Sequence, residues 1–82
     1  MEERIGSVII LVEDRNVAPE LNQIISKYAD SILGRQGIQL KERGKSIISL
    51  VLEGSTDDLG GLTGQLGRLK GIQVKSVLLK NN

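Results

Sequence analysis

The chain has 82 residues, which predicts one small domain whose core gives only modest stability without metals, disulfides or self-association. It contains no Cys and no His, so disulfides are excluded and the usual ligands of zinc, haem and iron–sulfur clusters are missing; we expect no metal and no cofactor. Because 11 basic and 10 acidic residues balance to +1 and Tyr28 is the only aromatic residue, composition also argues against direct nucleic-acid binding.

The first predicted element is a strand at residues 4–13, RIGSVIILVE, which is short and rich in β-branched residues. Apolar side chains fall on both of its faces, which predicts a central position in a sheet. The apolar run VIILV is far shorter than a membrane span, and the N-terminus lacks the processing site of a signal peptide. We therefore expect a cytoplasmic protein that does not enter a membrane.

A helix is predicted next, because apolar residues recur at steps of three and four. This stripe consists of Val17, Leu21, Ile24, Tyr28 and Ile32. Asn16 is a favoured capping residue just upstream, and Pro19 fits the first turn of the helix. Gly34 is predicted to end the helix in a left-handed conformation.

Three more strands and a second helix are predicted in the rest of the chain. In residues 37–43, GIQLKER, apolar and polar residues alternate, which predicts an edge strand. A turn follows and leads to a strand at residues 47–54 that is apolar on both faces. The second helix is predicted to begin at Ser55 or Thr56 and to end at Gly71, before a last strand at residues 72–80. Its core stripe is Leu59, Leu62, Leu66 and Leu69.

This β-α-β-β-α-β order predicts an α+β fold over residues 1–82, a ferredoxin-like sandwich in which a four-stranded antiparallel sheet carries two helices on one face. Both central strands are apolar on both sides, so one apolar face remains whichever side the helices cover. The first of these strands carries Ile5, Ile9 and Leu11 on one side and Val8, Ile10 and Val12 on the other, and the second carries Ile47 and Val51 on one side and Ile48, Leu50 and Leu52 on the other. We therefore expect a homo-oligomer formed by sheet contact, a homodimer or a homotetramer, and the alternative is a monomer with a mildly apolar surface.

The chemical patterns in the chain do not favour catalysis. GKS at residues 44–46 resembles the end of a phosphate-binding loop, but it lies between two strands and lacks the first glycine of that loop. Asp57 and Asp58 are charges that a helix N-terminus favours, and the chain has no His or Cys to act as base or nucleophile. We therefore predict that the protein is not an enzyme.

The glycines of the second helix have two interpretations. Gly60, Gly64 and Gly67 recur at steps of four and three and leave one helix face bare, which lets another backbone approach closely. This face either receives a partner subunit or ligand, or packs closely against the first helix.

Several stretches resemble known families. ILVEDRNVAPELNQI (residues 10–24) resembles the first strand, loop and helix of ACT-type regulatory domains, whose loop forms a ligand pocket, often at a subunit interface; Asn16 and Val17 replace its usual Pro-Gly. RIGSVIILVEDR, LGRQGI and residues 42–78 are together similar to a small bacterial family of regulators of the iron-only hydrogenase system, which is grouped with ACT-like and nickel-repressor C-terminal domains. The similarity to the nickel repressor extends to fold only, because its metal site uses His and Cys.

The resemblance implies a regulatory or sensor module, a homo-oligomer that binds a small metabolite or another protein through the first loop and the subunit interface. In this hypothesis Arg15 pairs with an anion, Asn16 donates or accepts in the turn, and Asp14 holds an amine or positions Arg15. The predicted ligand-binding residues are Asp14, Arg15, Asn16, Val17, Gly34, Arg35 and Gly37. The alternative is a purely structural oligomerisation module with no small-molecule ligand, in which these residues only shape the turn.

Overall fold

The computed structural model describes residues 3–79. In chain order its elements are β1 (Glu3–Val12), α1 (Ala18–Lys27), β2 (Ile32–Leu40), β3 (Lys45–Ser55), α2 (Thr56–Gly67) and β4 (Ile72–Leu78). Short 3-10 turns at Arg15–Val17, Ala29–Ser31 and Lys41–Arg43 connect the first four of these elements. The predicted end of the last strand, residue 80, lies outside the described residues.

The four strands form one antiparallel sheet in the order β2-β3-β1-β4. β1 pairs with β3 over its whole length, from Glu3 opposite Ser55 to Val12 opposite Ser46. On its other side β1 pairs with β4, and this ladder ends with Val12 opposite Ile72. The predicted ferredoxin-like β-α-β-β-α-β architecture is therefore confirmed.

The core lies between one face of the sheet and the two helices. Because side chains alternate along a strand, β1 and β3 each present every second residue to the helices, which contribute apolar stripes of their own. The buried apolar side chains are Val8, Ile10, Val12, Val17, Leu21, Ile25, Leu50, Leu52, Leu59, Leu62 and Leu66. Pro19 lies in the first turn of α1, as predicted.

The start of α2 follows the predicted capping pattern. Ser55 adopts an extended conformation, and its hydroxyl oxygen accepts a hydrogen bond from the backbone N–H of Asp58 at 3.0 Å. Asp57 and Asp58 both lie in the first turn, where a negative charge stabilises the exposed N–H groups. This helix ends at Gly67, four residues before the predicted end.

The segment after α1 differs most from the prediction. The helix ends at Lys27, and Ile32, which the stripe had placed on the helix, begins β2 and packs against the core from the sheet. Gly34 is part of that strand, and within residues 3–79 only Gly44 and Gly71 have a positive φ. The predicted left-handed helix end at Gly34 is therefore wrong, because backbone pairing with β3 extends β2 five residues further toward the N-terminus than its alternation indicated.

The face of the sheet away from the helices is partly apolar and open; we call it the open face. By strand alternation it carries Ile5, Ser7, Ile9, Leu11, Gln36, Ile38, Leu40, Lys45, Ile47, Ser49, Val51, Glu53, Gln73, Lys75 and Val77. Its apolar members Ile5, Ile9, Ile38, Val51 and Val77 are 42%, 50%, 44%, 43% and 63% exposed. The expected apolar surface on the uncovered side of the sheet is thus present, with serines and charged residues between its apolar side chains.

Candidate functional site

Asp14 turns the chain from β1 into α1. Its side-chain Oδ1 accepts a hydrogen bond from the backbone N–H of Asn16 at 2.9 Å, and its backbone carbonyl accepts one from Val17 N at 3.2 Å. Asn16 was predicted to cap the helix, but Asp14 caps the 3-10 turn that precedes it, and no side chain caps α1 itself. Asp14 therefore has a structural role in this loop.

The same loop is joined to the turn between α2 and β4. The backbone carbonyl of Gly71 accepts hydrogen bonds from Glu13 N at 2.8 Å and from Asp14 N at 3.1 Å. Gly71 has a φ of +84°, and a Cβ built on it would lie 2.7 Å from the Cβ of Asp14. Only glycine fits this contact without strain, and the two hydrogen bonds to its carbonyl hold the two turns together.

A depression of about 420 Å³ lies where these two turns meet, and we call it the loop depression. It is lined by Asp14, Asn16, Val17, Glu20, Arg68, Leu69 and Lys70. Two carboxylates come from the first loop and the start of α1, and two cations come from the turn before β4. Within residues 3–79, Arg68 and Lys70 have no ion-pair partner, so both can bind an anionic group.

Arg15 lines a separate depression of about 440 Å³, which we call the other depression. Its other lining residues are Val12, Ala18, Gln39, Gly44, Lys45 and Ser46. Lys45 Nζ lies 3.6 Å from Glu13 Oε2, so part of the positive charge at this end of the sheet is already paired. The structure thus separates Arg15 from Asp14, Asn16 and Val17, with which it was predicted to form one site.

Gly34, Arg35 and Gly37 lie in β2 and line neither of these two depressions. Arg35 Nη2 donates a hydrogen bond to Asn22 Oδ1 at 3.0 Å, which joins the edge strand to α1. A Cβ built on Gly34 or Gly37 would meet nothing within 4 Å. The structure therefore does not bring these three residues together with the first loop.

Glu20, Arg68, Leu69 and Lys70 were not predicted as site residues. The pattern RLKG predicts the end of a helix, and nothing in its local sequence indicates a ligand contact. Topology was the available signal, because in a β2-β3-β1-β4 sheet the end of β1 lies beside the start of β4, and the turns at those two ends must therefore meet.

The glycine stripe of α2 does not pack against α1. A Cβ built on Gly60, Gly64 or Gly67 would meet nothing within 4 Å, so the close-packing interpretation is wrong for these three. The close approach occurs at Gly61, where a Cβ would lie 2.8 Å from the Tyr28 hydroxyl. That hydroxyl accepts a hydrogen bond from Gln65 Nε2 at 2.7 Å.

Replacing Gly64 with Ala is expected to raise the free energy of unfolding by about 1 kcal/mol, because Ala favours the helix and has open space there. Gly61→Ala is expected to be less stable than Gly64→Ala by about 1 kcal/mol, because its methyl group displaces the Tyr28 hydroxyl from Gln65. Urea denaturation of both variants measures the difference. Equal stabilities would contradict the observed contact at Gly61.

Within residues 3–79, no three side chains of His, Cys, Asp or Glu type come together in a way that could hold a metal ion. None of the helices in this part of the chain is long and apolar enough to span a membrane.

Comparison with known proteins supports one family. The TM1266-like family, described as "Iron-only hydrogenase system regulator, putative", matches residues 4–76. The solved structure of TM1266 from Thermotoga maritima is 39% identical, covers 96% of this chain and 100% of its own, and superimposes with a TM-score of 0.89. No curated protein matches the chain in sequence.

A second solved structure is similar in fold. The ACT domain from the GTP pyrophosphokinase of Chlorobium tepidum is 22% identical, covers 93% of this chain and 100% of its own, and has a TM-score of 0.75. At that identity the match shows a shared ACT-like architecture. The ACT-like fold implied by the sequence is therefore confirmed.

Proposed function

Because this chain belongs to the TM1266-like family of iron-only hydrogenase system regulators, we propose that it is a non-catalytic regulatory module that self-associates and binds a small charged ligand. The alternative ligand is a partner protein that inserts a charged side chain into the loop depression. Self-association uses the open face, and ligand binding uses the loop depression. The family description connects this regulation to the hydrogenase system.

The loop depression is the observation that carries this proposal. Asp14 and Glu20 place carboxylates on one of its walls, while Arg68 and Lys70 place cations on the other. A ligand with both an anionic and a cationic group, such as a zwitterionic metabolite, matches that arrangement. The hydrogen bonds to the Gly71 carbonyl hold the two walls together before any ligand binds, which reduces the entropic cost of binding.

The residues around the loop depression favour binding over catalysis. The chain contains no His or Cys, so a general base or nucleophile would have to be a carboxylate, Lys, Ser or Thr. Asp14, the carboxylate nearest the turn, already accepts a hydrogen bond from Asn16. No lining residue is a serine or threonine that a neighbouring base could activate.

Thermal unfolding in the presence of amino acids, nucleotides and organic anions tests the proposal. A ligand at 100 times its Kd is expected to raise the free energy of unfolding by about 2.7 kcal/mol, which is roughly 10–20 °C for a domain of this size. Arg68→Ala is expected to remove most of that shift, because the cation that faces the anionic group is lost.

Arg15→Ala is the matched control, because it removes an exposed Arg that lines the other depression. We expect it to keep the ligand shift. Loss of the shift in Arg15→Ala and not in Arg68→Ala would place the ligand at the other depression. A panel that leaves the melting temperature unchanged would favour the purely structural oligomerisation module.

A further inference from the structure

We propose that two copies of the chain stack open face on open face with their strands antiparallel, so that β3 of one copy lies over β3 of its partner. This inference rests on the proposed self-association and adds the orientation of the two copies. The two-fold axis then runs between the sheets, across the strands, and lies midway between the centre of β3 and the centre of the partner's β3. Each contact away from this axis occurs twice.

The open-face residues of β3 are complementary to those of a second β3 that runs in the opposite direction. Reading along the strand, this face carries Lys45, Ile47, Ser49, Val51 and Glu53. When two such strands stack antiparallel about Ser49, Ile47 meets the partner's Val51. Lys45, whose Nζ lies 3.6 Å from Glu13 Oε2 of its own chain, also meets the partner's Glu53. The small Ser49 lies over its own copy at the centre, where it lets the two sheets approach.

The alternative stack, in which the strands of the two copies run parallel, leaves the carboxylate of Glu53 without a partner. Register places Ile5 beside Glu53 at one end of the open face, while Lys45 lies at the other end and Lys75 lies opposite Ile9 near the middle. In a parallel stack Glu53 would be covered by the partner's Ile5, and none of the described open-face residues at that end is a cation. A covered carboxylate without a partner is strongly unfavourable, so the position of Glu53 favours the antiparallel stack.

The neighbouring strand β1 tolerates the same arrangement. Ser7 and Leu11 lie on either side of Ile9 on the open face, so the antiparallel stack places small Ser7 over the partner's larger Leu11. Ile9, which is 50% exposed in one copy, then packs against the partner's Ile9. Lys75 is level with Ile9, so the same stack brings it toward its own copy, and its position on the edge strand β4 lets the two long side chains turn outward to water, which separates their charges.

The size of the open face suits a dimer. With strands about 4.8 Å apart and a rise of about 3.3 Å per residue, the four-stranded sheet measures roughly 19 by 30 Å, or roughly 600 Å² in projection. A standard interface buries about 800 Å² of accessible surface per partner, and accessible area exceeds projected area because side chains protrude. The open face alone can therefore supply a specific dimer contact.

Charge reversal at the two ends of β3 tests the orientation by sedimentation equilibrium. Glu53→Lys and Lys45→Glu are each expected to weaken self-association at least about tenfold, because each places like charges together at both ends of the stack. An equimolar mixture of the two variants, and the double variant, are expected to regain the wild-type dimer. Asp30→Lys, which changes the charge equally at an exposed position outside the sheet, is expected to associate as the wild type does.

The outcomes separate the orientation from the self-association on which it rests. A wild-type dimer that Glu53→Lys leaves intact, or a mixture that stays monomeric, would overturn the antiparallel stack and favour parallel or edge-to-edge contact. A wild-type monomer would overturn the self-association itself. Restoration in the mixture supports the orientation, because folding defects in two separate chains cannot complement each other.

Discussion

Gly71→Ala is expected to lower the free energy of unfolding by about 3 kcal/mol. An alanine at this position must adopt a backbone φ of +84°, and its methyl group would lie 2.7 Å from the Cβ of Asp14. Both effects act on the residue whose backbone carbonyl accepts the hydrogen bonds of Glu13 and Asp14. We therefore also expect the variant to lose the rise in melting temperature that a ligand causes by binding in the loop depression. Urea denaturation measures the first effect, and thermal unfolding with ligand measures the second.

Gly44→Ala separates the collision from the backbone strain. Gly44 also has a positive φ, +65°, but a Cβ built on it would meet nothing within 4 Å. We therefore expect a loss of only about 1 kcal/mol from strain. If the two alanine variants lost equal stability, the contact between Gly71 and Asp14 would contribute nothing.

Ile9→Glu is expected to raise the Kd of self-association at least about a hundredfold, because each interface would cover two carboxylates at its centre. The fold of the single chain is expected to persist. Ile9 is 50% exposed there, and its neighbours in register are Ser49 and Lys75, which favour a carboxylate beside them. Sedimentation velocity measures the association state, and circular dichroism measures the fold.

Ala29→Glu is the control for this substitution. It adds the same charge at an exposed position in the turn after α1, away from the sheet. We expect this variant to associate as the wild type does. Association of the Ile9→Glu variant at wild-type strength would show that the copies do not meet through the open face.

The order of elements could be predicted from the sequence because apolar periodicity changes clearly between strands and helices. The segment between α1 and β2 could not, since Ile32 happens to continue the spacing of the helical stripe. Gly34 then looks like a helix-ending residue, and Gly37 looks like the first residue of the next strand. In the structure, backbone pairing with β3 includes both glycines in an edge strand, so a long-range contact overrides the local propensity.

The candidate site was predictable only in part. Asp14, Asn16 and Val17 are close in sequence, and the structure places all three on the loop depression. Arg68 and Lys70 join them only through the pairing of β1 with β4, which no local pattern indicates. Arg15 is adjacent to Asp14 in sequence, yet it lines the other depression, because successive residues of a 3-10 turn face different directions.

The family could be recognised from sequence because the resemblance covers nearly the whole chain, and the match over residues 4–76 confirms it. The predicted glycine face is a different case. The stripe at Gly60, Gly64 and Gly67 was identified correctly as bare, but the glycine in close contact is Gly61, which lies one residue outside the stripe. Helical spacing gives the face on which a residue lies, and only the position of Tyr28 shows which face meets α1.

Light scattering on the purified wild-type chain tests most directly whether a second copy covers the open face. We predict a mass at micromolar concentration of twice the 8.9 kDa chain, or of four times that mass if two dimers associate. A mass of 8.9 kDa under the same conditions would contradict the account, because the apolar side chains of the open face would then remain in water.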